Sequence, residues 1–408
     1  MTLPSHHLPL TTYHLPLTTY LSPFTFYLLL LPPMHILQIL PALNEGGVER
    51  GTVELSRELV RRGHIVTVIS SGGRLAGQIE RDGARHVALD VKSKNPLTAL
   101  SRACKLRRAV AEINPDIVHF RSRVPGWLFI LANRALRLPF VSTVHGFNSV
   151  SAYSKVMTRG MRVICPGAAV SDYIRLHYAT PPEKIRVIYR GIDPALFDPS
   201  RLDKEFMTEF RRQYNLDNRF VVLAVGRVTQ LKGYDVLLRA TALARARVPD
   251  IKTVIVGGVE PARSAYGEEL RHLARELGLD EHVVFAGSQS RLAEIYACGD
   301  VLVSANRDKP EAFGRSMAEA LAMDCPVIAT RFGGALDIVR DGINGWLVEP
   351  GDVRQLAERI AQVPSAGFSG LRADALRRFA LERMVESTLA VYAEVLAEQA
   401  PVTAPTHA

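Results

Sequence analysis

The sequence predicts an α/β protein made of two successive doubly wound domains that face one another across a cleft. Three observations lead there. Short apolar, β-branched runs alternate with helical stretches from Met34 nearly to the end, the pattern of a parallel sheet with helical crossovers. The alternation pauses at residues 193–218, where Pro194 and Pro199 interrupt it, and then restarts. Finally, 408 residues with 47% apolar content suffice for two or three cores and exclude pervasive disorder.

In order, strands are expected at residues 36–40, 65–70, 86–90, 117–120, 140–144, 162–165 and 185–189, each rich in Val, Ile, Leu or Phe. Between them lie helices at 48–62, ended by Gly63, and at 97–113, which opens after Pro96 and stops ahead of Pro115. Residues 193–218 read as a linker holding a short helix. Strands resume at 220–225, 252–256, 283–286, 301–304, 327–329 and 346–348. Helices separate them near 234–246, 268–277, 291–297, 313–323 and 353–361, and a last helix near 371–398 precedes a polar tail. The expected organisation is therefore a first domain at 34–192, a linker at 193–218, a second domain at 219–368, a terminal helix within 369–398 and a disordered tail at 399–408.

Residues 1–33 stand apart. The segment from His7 to Tyr13 is repeated at once from His14 to Tyr20, prolines recur throughout, and no Asp, Glu, Lys or Arg precedes Glu45. Continuous helix or central strand is disfavoured there. The apolar run 24–31 is too short to span a bilayer, and a secretory signal needs a positive leading region. The reading is an extension without a fold, with Met34 as the true start; a membrane-touching tail is the competing reading.

Charge and cysteine usage narrow the class. Residues 34–190 carry 24 Lys and Arg against 11 Asp and Glu, leaving 26 against 30 for the remainder and +9 for the whole chain. A basic first half beside a mildly acidic second half suggests different partners for each. No zinc pattern, recognition helix or aromatic–basic RNA signature accompanies the charge, which disfavours a nucleic-acid-binding protein. Cys104, Cys165, Cys298 and Cys325 form no CxxC pair and no metal-ligand spacing with histidine, so buried reduced thiols in a cytosolic protein are expected. On the helix after Pro96, Arg102, Lys105, Arg107 and Arg108 form a basic set, with Leu100, Leu106, Val110 and Ile113 as the apolar positions. Such a helix either docks on acidic lipid headgroups or packs normally with a solvated face.

Four stretches at strand ends carry chemistry. Gly46 and Gly47, followed by Val48, Glu49 and Arg50, open a helix after the first strand; paired glycines let an anion approach free N–H groups, and equally make a tight turn. No GxGxxG is present. Gly226-Arg227 and Lys232-Gly233 follow the first strand of the second half. A guanidinium and an ammonium on one loop suit a diphosphate, against the alternative of solvated charge. Glu311 and Glu319 bracket the stretch Phe313-Gly314-Arg315, where carboxylates accept from vicinal hydroxyls and N–H groups cap an anion, or merely complement a helix dipole. His145, followed by Gly146, ends the strand 140–144 and is either a polar contact in the cleft or a buried structural residue.

Taken in this order, these stretches resemble the retaining glycosyltransferases of the GT-B fold, family four of the sequence-based classification. The resemblance rests on Gly46-Gly47-Val48-Glu49, His145, the G-R-x(4)-K-G stretch from Gly226 to Gly233 and the E-x(7)-E pair Glu311/Glu319. Residues 116–119 and 187–193 also match, and 154–160 are similar to lipopolysaccharide-core and related envelope transferases. The resemblance implies two Rossmann-like domains around a central cleft, with the final helix crossing back onto the first. It implies that Arg227 and Lys232 hold the diphosphate of a nucleotide-sugar and that Glu319 binds ribose hydroxyls. Glu311, with backbone near Phe313 and Gly314, would hold the donor sugar; His145 and the Gly46–Gly47 turn would complete the reaction centre. No cofactor is implied beyond the nucleoside-diphosphate sugar, and the absence of D-x-D points to a metal-independent hexosyltransferase. The implied acceptor is a glycan or glycolipid of lipopolysaccharide or other envelope synthesis, reached from the cytoplasm or at an anionic inner membrane face. Two departures stand out: Asp324 where Gly is frequent, and Asp337 in place of a frequent Glu near the nucleotide. A GT-B nucleotide-sugar epimerase or related sugar-phosphate enzyme is the alternative.

Overall fold

The computed structural model describes residues 32–44, 46–259 and 264–399. The readings for residues 1–31, including the repeat, and for the last nine residues lie outside these.

The first sheet consists of β1 (His35–Ile39), β2 (Ile65–Ser70), β3 (Arg85–Ala88), β4 (Ile117–Phe120), β5 (Phe140–Thr143), β6 (Arg162–Cys165) and β7 (Ile185–Val187). All pairings are parallel, in the order β3-β2-β1-β4-β5-β6-β7. Helices α1 (Gly47–Arg61), α2 (Ala76–Arg81), α3 (Ala99–Ile113), α4 (Arg123–Leu136) and α5 (Ala168–Tyr178) provide the crossovers. After α6 (Lys204–Gln213), capped by the Asp203 carboxylate on Phe206 N, the second sheet follows. It comprises β8 (Phe220–Val225), β9 (Ile251–Val256), β10 (Val283–Gly287), β11 (Val301–Ser304), β12 (Val327–Thr330) and β13 (Gly345–Val348), in the order β10-β9-β8-β11-β12-β13. Its helices are α7 (Tyr234–Ala244), α8 (Ser264–Glu276), α9 (Leu292–Ala297), α10 (Arg315–Ala322), α11 (Ala335–Ile338) and α12 (Val353–Gln362), followed by α13 (Leu371–Phe379) and α14 (Leu381–Ala397).

The inner strands β1, β4, β8, β9, β11 and β12 are almost wholly buried, which explains their predominantly apolar sequences. In each sheet the strand order reverses beside the first strand, between β1 and β4 and between β8 and β11. Ligands of open α/β sheets sit outside the carboxyl ends of the strands at such a reversal. The loops after β1 and β8, and the segment from β11 to α10, lie there.

The expected single terminal helix is two helices. Ala380, between α13 and α14, is extended at ψ 142°, and Ile192 bonds to both sides of it: its N–H donates to Phe379 O at 2.7 Å and its carbonyl accepts from Leu381 N at 2.8 Å. The break has no Pro or Gly at its centre. It is imposed by the chain segment that leaves the first sheet, where a Cβ on Gly191 would stand 2.6 Å from the Leu381 Cα. Beyond the break, α14 returns to the first sheet. Tyr392 Oη meets His119 Nδ1 at 2.7 Å, and Glu394 pairs with Arg162 at 2.9 Å and with Arg186.

Three further expectations need correction. On α3, Leu100 is 72% exposed whereas Arg102 is 7% exposed, the reverse of the expected roles. The turn at Pro96–Thr98 sets the rotation of α3, and Arg102 donates to Ser93 O at 2.7 Å and Asn95 O at 2.8 Å, tying that turn down. Cys104 is exposed on the same helix; the other three cysteines are buried. At Asp324, the helix end is kept despite the missing glycine. Asp324 takes φ 56°, a left-handed conformation that costs an L-residue about 1 kcal/mol, and its carboxylate offsets this by accepting from Arg372 N at 2.9 Å, after Leu371 has opened α13.

Candidate active site

The donor-side groups assemble around the end of β8. Arg227 is exposed on the loop after it. Lys232, in the turn Gln230–Lys232, folds back over Gly226, and its Nζ donates to Glu311 Oε1. The two residues read as diphosphate and sugar ligands thus hold one another, both side chains about four-fifths buried. Tyr234, at the start of α7, donates to Gly226 O at 2.7 Å and closes the loop from below. Burial, and then the nearby Glu311 charge, push its phenol well above the ordinary range.

Gly314 caps α10 with φ 95°, a region that favours glycine, and leaves the first turn of N–H groups beside Glu311. The Phe313 ring points away into the core, stacked on Tyr189 at 6.0 Å and edge-on to Phe379 at 5.5 Å.

Glu319 is 4% exposed and already engaged. Its Oε1 accepts from Arg315 Nε at 2.7 Å and its Oε2 from Tyr296 Oη at 3.1 Å. Arg315 then crosses to the first-sheet half, placing both terminal nitrogens on the Glu54 carboxylate of α1, with Nη1 3.0 Å from Oε2. This Glu319–Arg315–Glu54 chain raises the Arg315 guanidinium above its ordinary value against the opposing effect of burial. Neither Arg315 nor Glu54 was singled out from the sequence. Arg315 lies inside the E-x(7)-E stretch at i−4 from Glu319, a spacing that could have suggested the pair; nothing local marks Glu54.

On the first-sheet side, Gly46 precedes α1 and Gly47 opens it. The Glu49 carboxylate folds back toward Gly46, with Oε2 2.5 Å from where a Cβ would stand. Burial raises the Glu49 carboxyl, opposed by its own N–H, by Arg227 and by Arg190, so the 46–49 turn lies within electrostatic reach of the loop after β8. His145 follows β5. Its Nδ1 accepts from Arg190 Nη2, and its buried Nε2 has no hydrogen-bond partner in the structure. Burial first, then Arg190, Arg121 and His119, hold the imidazole well below its ordinary value, so it is neutral at physiological pH. Arg121, at the end of β4, is itself buried and donates to Gln38 Oε1 at 2.9 Å; burial lowers it to about 10 and Arg190 to about 9. Arg121 was not singled out from the sequence, although it directly follows β4; Arg190 lies within the matching stretch 187–193 but was given no role.

Asp337, where the resemblance has a frequent Glu near the nucleotide, is bonded within the protein. Its Oδ2 accepts from Ala168 N, at the start of α5, at 2.9 Å, and Oδ1 accepts from Tyr189 Oη at 3.4 Å. It ties the second-sheet half to the first. Among the described residues, no three His, Cys, Asp or Glu side chains converge as a metal site.

Comparison with known proteins agrees with this geometry. Residues 45–196 match the family model Glycosyltransferase Family 4, and residues 206–374 match Glycosyl transferases group 1. The chain is 30% identical to a D-inositol 3-phosphate glycosyltransferase of Acidothermus cellulolyticus, over 87% of each chain. It is also 30% identical to a GDP-mannose-dependent alpha-(1-6)-phosphatidylinositol monomannoside mannosyltransferase of Mycolicibacterium smegmatis, over 78% of this chain and 85% of that one. A crystal structure of a glycosyltransferase from Rickettsia africae superposes with TM-score 0.82 at 31% identity, covering 89% of this chain and 99% of the other. With two facing parallel-sheet halves, both family models matched in chain order and a relative similar along most of its length, the protein belongs to the family 4 glycosyltransferases of the GT-B fold.

Proposed function

We propose that the protein transfers a hexose from a nucleoside-diphosphate sugar to a hydroxyl of a phosphate-bearing acceptor, with retention at the anomeric carbon, in the synthesis of an envelope glycolipid or related glycan. The observation that carries this reading is the meeting of Glu311 with Lys232 of the loop after β8, the loop whose Arg227 acts on Glu49 of the 46–49 turn. A donor diphosphate competes with Glu311 for the Lys232 ammonium, and the released carboxylate then accepts from sugar hydroxyls. Charge grows on the departing diphosphate as the anomeric bond breaks. Lys232, Arg227 and the N–H groups opening α10 are fixed dipoles and charges at that place, and their stabilisation of the leaving group carries most of the rate. In the same-face substitution of this enzyme class, the leaving phosphate takes the acceptor's proton, so no side-chain base is required.

For the acceptor, a groove of about 770 Å³ opens at the carboxyl ends of β2 and β3, lined by Ser71, Leu89, Asp90, Lys92, Ser93 and Lys94. Its two lysines suit a phosphate. The two relatives are named for inositol phosphate and phosphatidylinositol mannoside, which draws the acceptor reading from lipopolysaccharide core toward phosphorylated polyols and their lipids. A thermal-shift screen across UDP-, GDP-, ADP- and dTDP-sugars tests the donor half: the cognate donor at 100 times its Kd adds about 2.7 kcal/mol of apparent stability. Absence of stabilisation by every donor overturns the reading. Donor turnover that ignores added acceptor supports the epimerase alternative instead.

A membrane-facing role is favoured by α3. Leu97 and Leu100 are 91% and 72% exposed beside the exposed Lys105, Arg107 and Arg108. Apolar insertion flanked by cations fits an acidic lipid surface. Among the described residues no helix is long and apolar enough to cross a membrane. Co-sedimentation with vesicles containing phosphatidylglycerol is expected to exceed that with neutral vesicles, and to fall with salt and in Leu97→Ser/Leu100→Ser. Sedimentation indifferent to lipid charge and salt removes the proposal.

A further inference from the structure

Arg190 stands just beyond β7, and its Nη2 donates to Nδ1 of His145. A guanidinium offers donors only. The imidazole nitrogen it meets must therefore accept, which leaves the neutral ring with its single proton on Nε2. That Nε2 is buried and has no hydrogen-bond partner. An N–H left unpaired inside a protein costs about 1–3 kcal/mol, a cost that an oxygen of a bound ligand relieves.

The surroundings of the pair are built to keep this arrangement. Room for the guanidinium comes from Gly51 on α1, where a Cβ would stand 3.0 Å from Arg190 Nη1. Arg190 faces the carboxylates Glu49 and Glu54 of α1, Arg121 beyond β4 and Arg315 of α10. The imidazole itself faces Arg190, Arg121 and His119 of β4. His119 is spent on Tyr392 and on Thr143, each at 2.7 Å, so it supplies no competing acceptor or donor to His145. The two guanidiniums among these neighbours, Arg190 and Arg121, each disfavour imidazolium.

We propose that Arg190 is a positioning residue for the transfer reaction: it locks His145 in the Nε2–H tautomer, so that His145 serves as a fixed hydrogen-bond donor to an oxygen of the bound sugar and not as a proton carrier. The inference rests on the hexosyl-transfer reading for the identity of that oxygen. The tautomer and its cause stand on the geometry alone.

The test combines ring-nitrogen NMR of protein labelled with ¹⁵N-histidine, His145 being assigned by its loss in His145→Gln, with kinetics of Arg190→Met and Arg190→Lys. In the wild type His145 is expected to show an unprotonated Nδ1 and a protonated Nε2, unchanged from about pH 5.5 to 8. In Arg190→Met it is expected to titrate closer to its ordinary value of about 6.5, and kcat is expected to fall about 10- to 100-fold, with a new acidic limb and less than about threefold change in donor KM. Arg190→Lys, which keeps one charged donor, is expected to recover part of kcat. A wild-type His145 protonated on Nδ1, or titrating near 6.5, overturns the proposal, as does an Arg190→Met protein whose His145 keeps the wild-type tautomer and titration. Should Arg190→Met not fold, the wild-type spectrum alone still decides. Failure of all nucleotide-sugars to bind appears separately in the thermal-shift screen and leaves the tautomer measurement intact.

Discussion

Lys232→Ala is expected to lower kcat/KM for hexosyl transfer by about 10²–10³-fold, roughly 3–4 kcal/mol of transition-state stabilisation, with the melting temperature nearly unchanged. The ammonium is bonded to Glu311, and it lies over Gly226 in the loop after β8. Removing it withdraws charge stabilisation from the leaving diphosphate when that charge is greatest. It also leaves Glu311, about four-fifths buried, without its partner and a repulsive neighbour for the incoming phosphate. The double variant Lys232→Ala/Glu311→Gln separates these effects. If repulsion dominated, donor affinity would recover in the double variant; if leaving-group stabilisation dominates, kcat stays low in both. Near-normal transfer by Lys232→Ala refutes the diphosphate assignment outright.

What was legible in the sequence follows from what is local. Strands buried on both faces are predominantly apolar, so β2, β4, β6, β8 and β11 are found at the residues expected. Strand ends at a reversal of sheet order carry the site, so the loops holding Gly46, Gly47, Arg227, Lys232, Glu311 and Gly314 were findable by position as well as by motif. Long-range contacts left no such mark. Arg315 and Glu54 are 261 positions apart, and neither has a neighbour in sequence that announces the other's domain. The break at Ala380 is dictated by Ile192, and the orientation of α3 by a turn whose carbonyls Arg102 satisfies. Asp337 was read by its place near an expected nucleotide, whereas its partner is the Ala168 N–H across the molecule. Motif reasoning nominates groups to meet a ligand, and it is blind to which groups hold the halves of the protein at their working distance.

Arg315→Ala is expected to be the most destabilising single change at the site, by about 3–5 kcal/mol, because it strips the shared cation from two enclosed carboxylates. Arg315 and Glu54 are 17% and 14% exposed in their side chains, and Glu319 only 5%, so water compensates little of the loss. The ion pair itself need not be a large net stabiliser, since assembling three charges in a confined space costs desolvation; the penalty arises from leaving Glu54 and Glu319 unpaired. The distinction is measurable. Restoring neutrality in Arg315→Met/Glu54→Gln/Glu319→Gln is expected to recover most of the lost melting temperature, while donor-dependent stabilisation stays low if Glu319 is the ribose ligand that the family resemblance implies. Glu54→Gln alone cuts only the link between the two halves. It leaves Glu319 paired with Arg315 and Tyr296, so donor binding is expected to persist while kcat falls through a less well-fixed cleft. A Glu54→Gln protein with unaltered kcat would confine Arg315 to holding Glu319, and the bridge would then be a feature of assembly with no part in turnover.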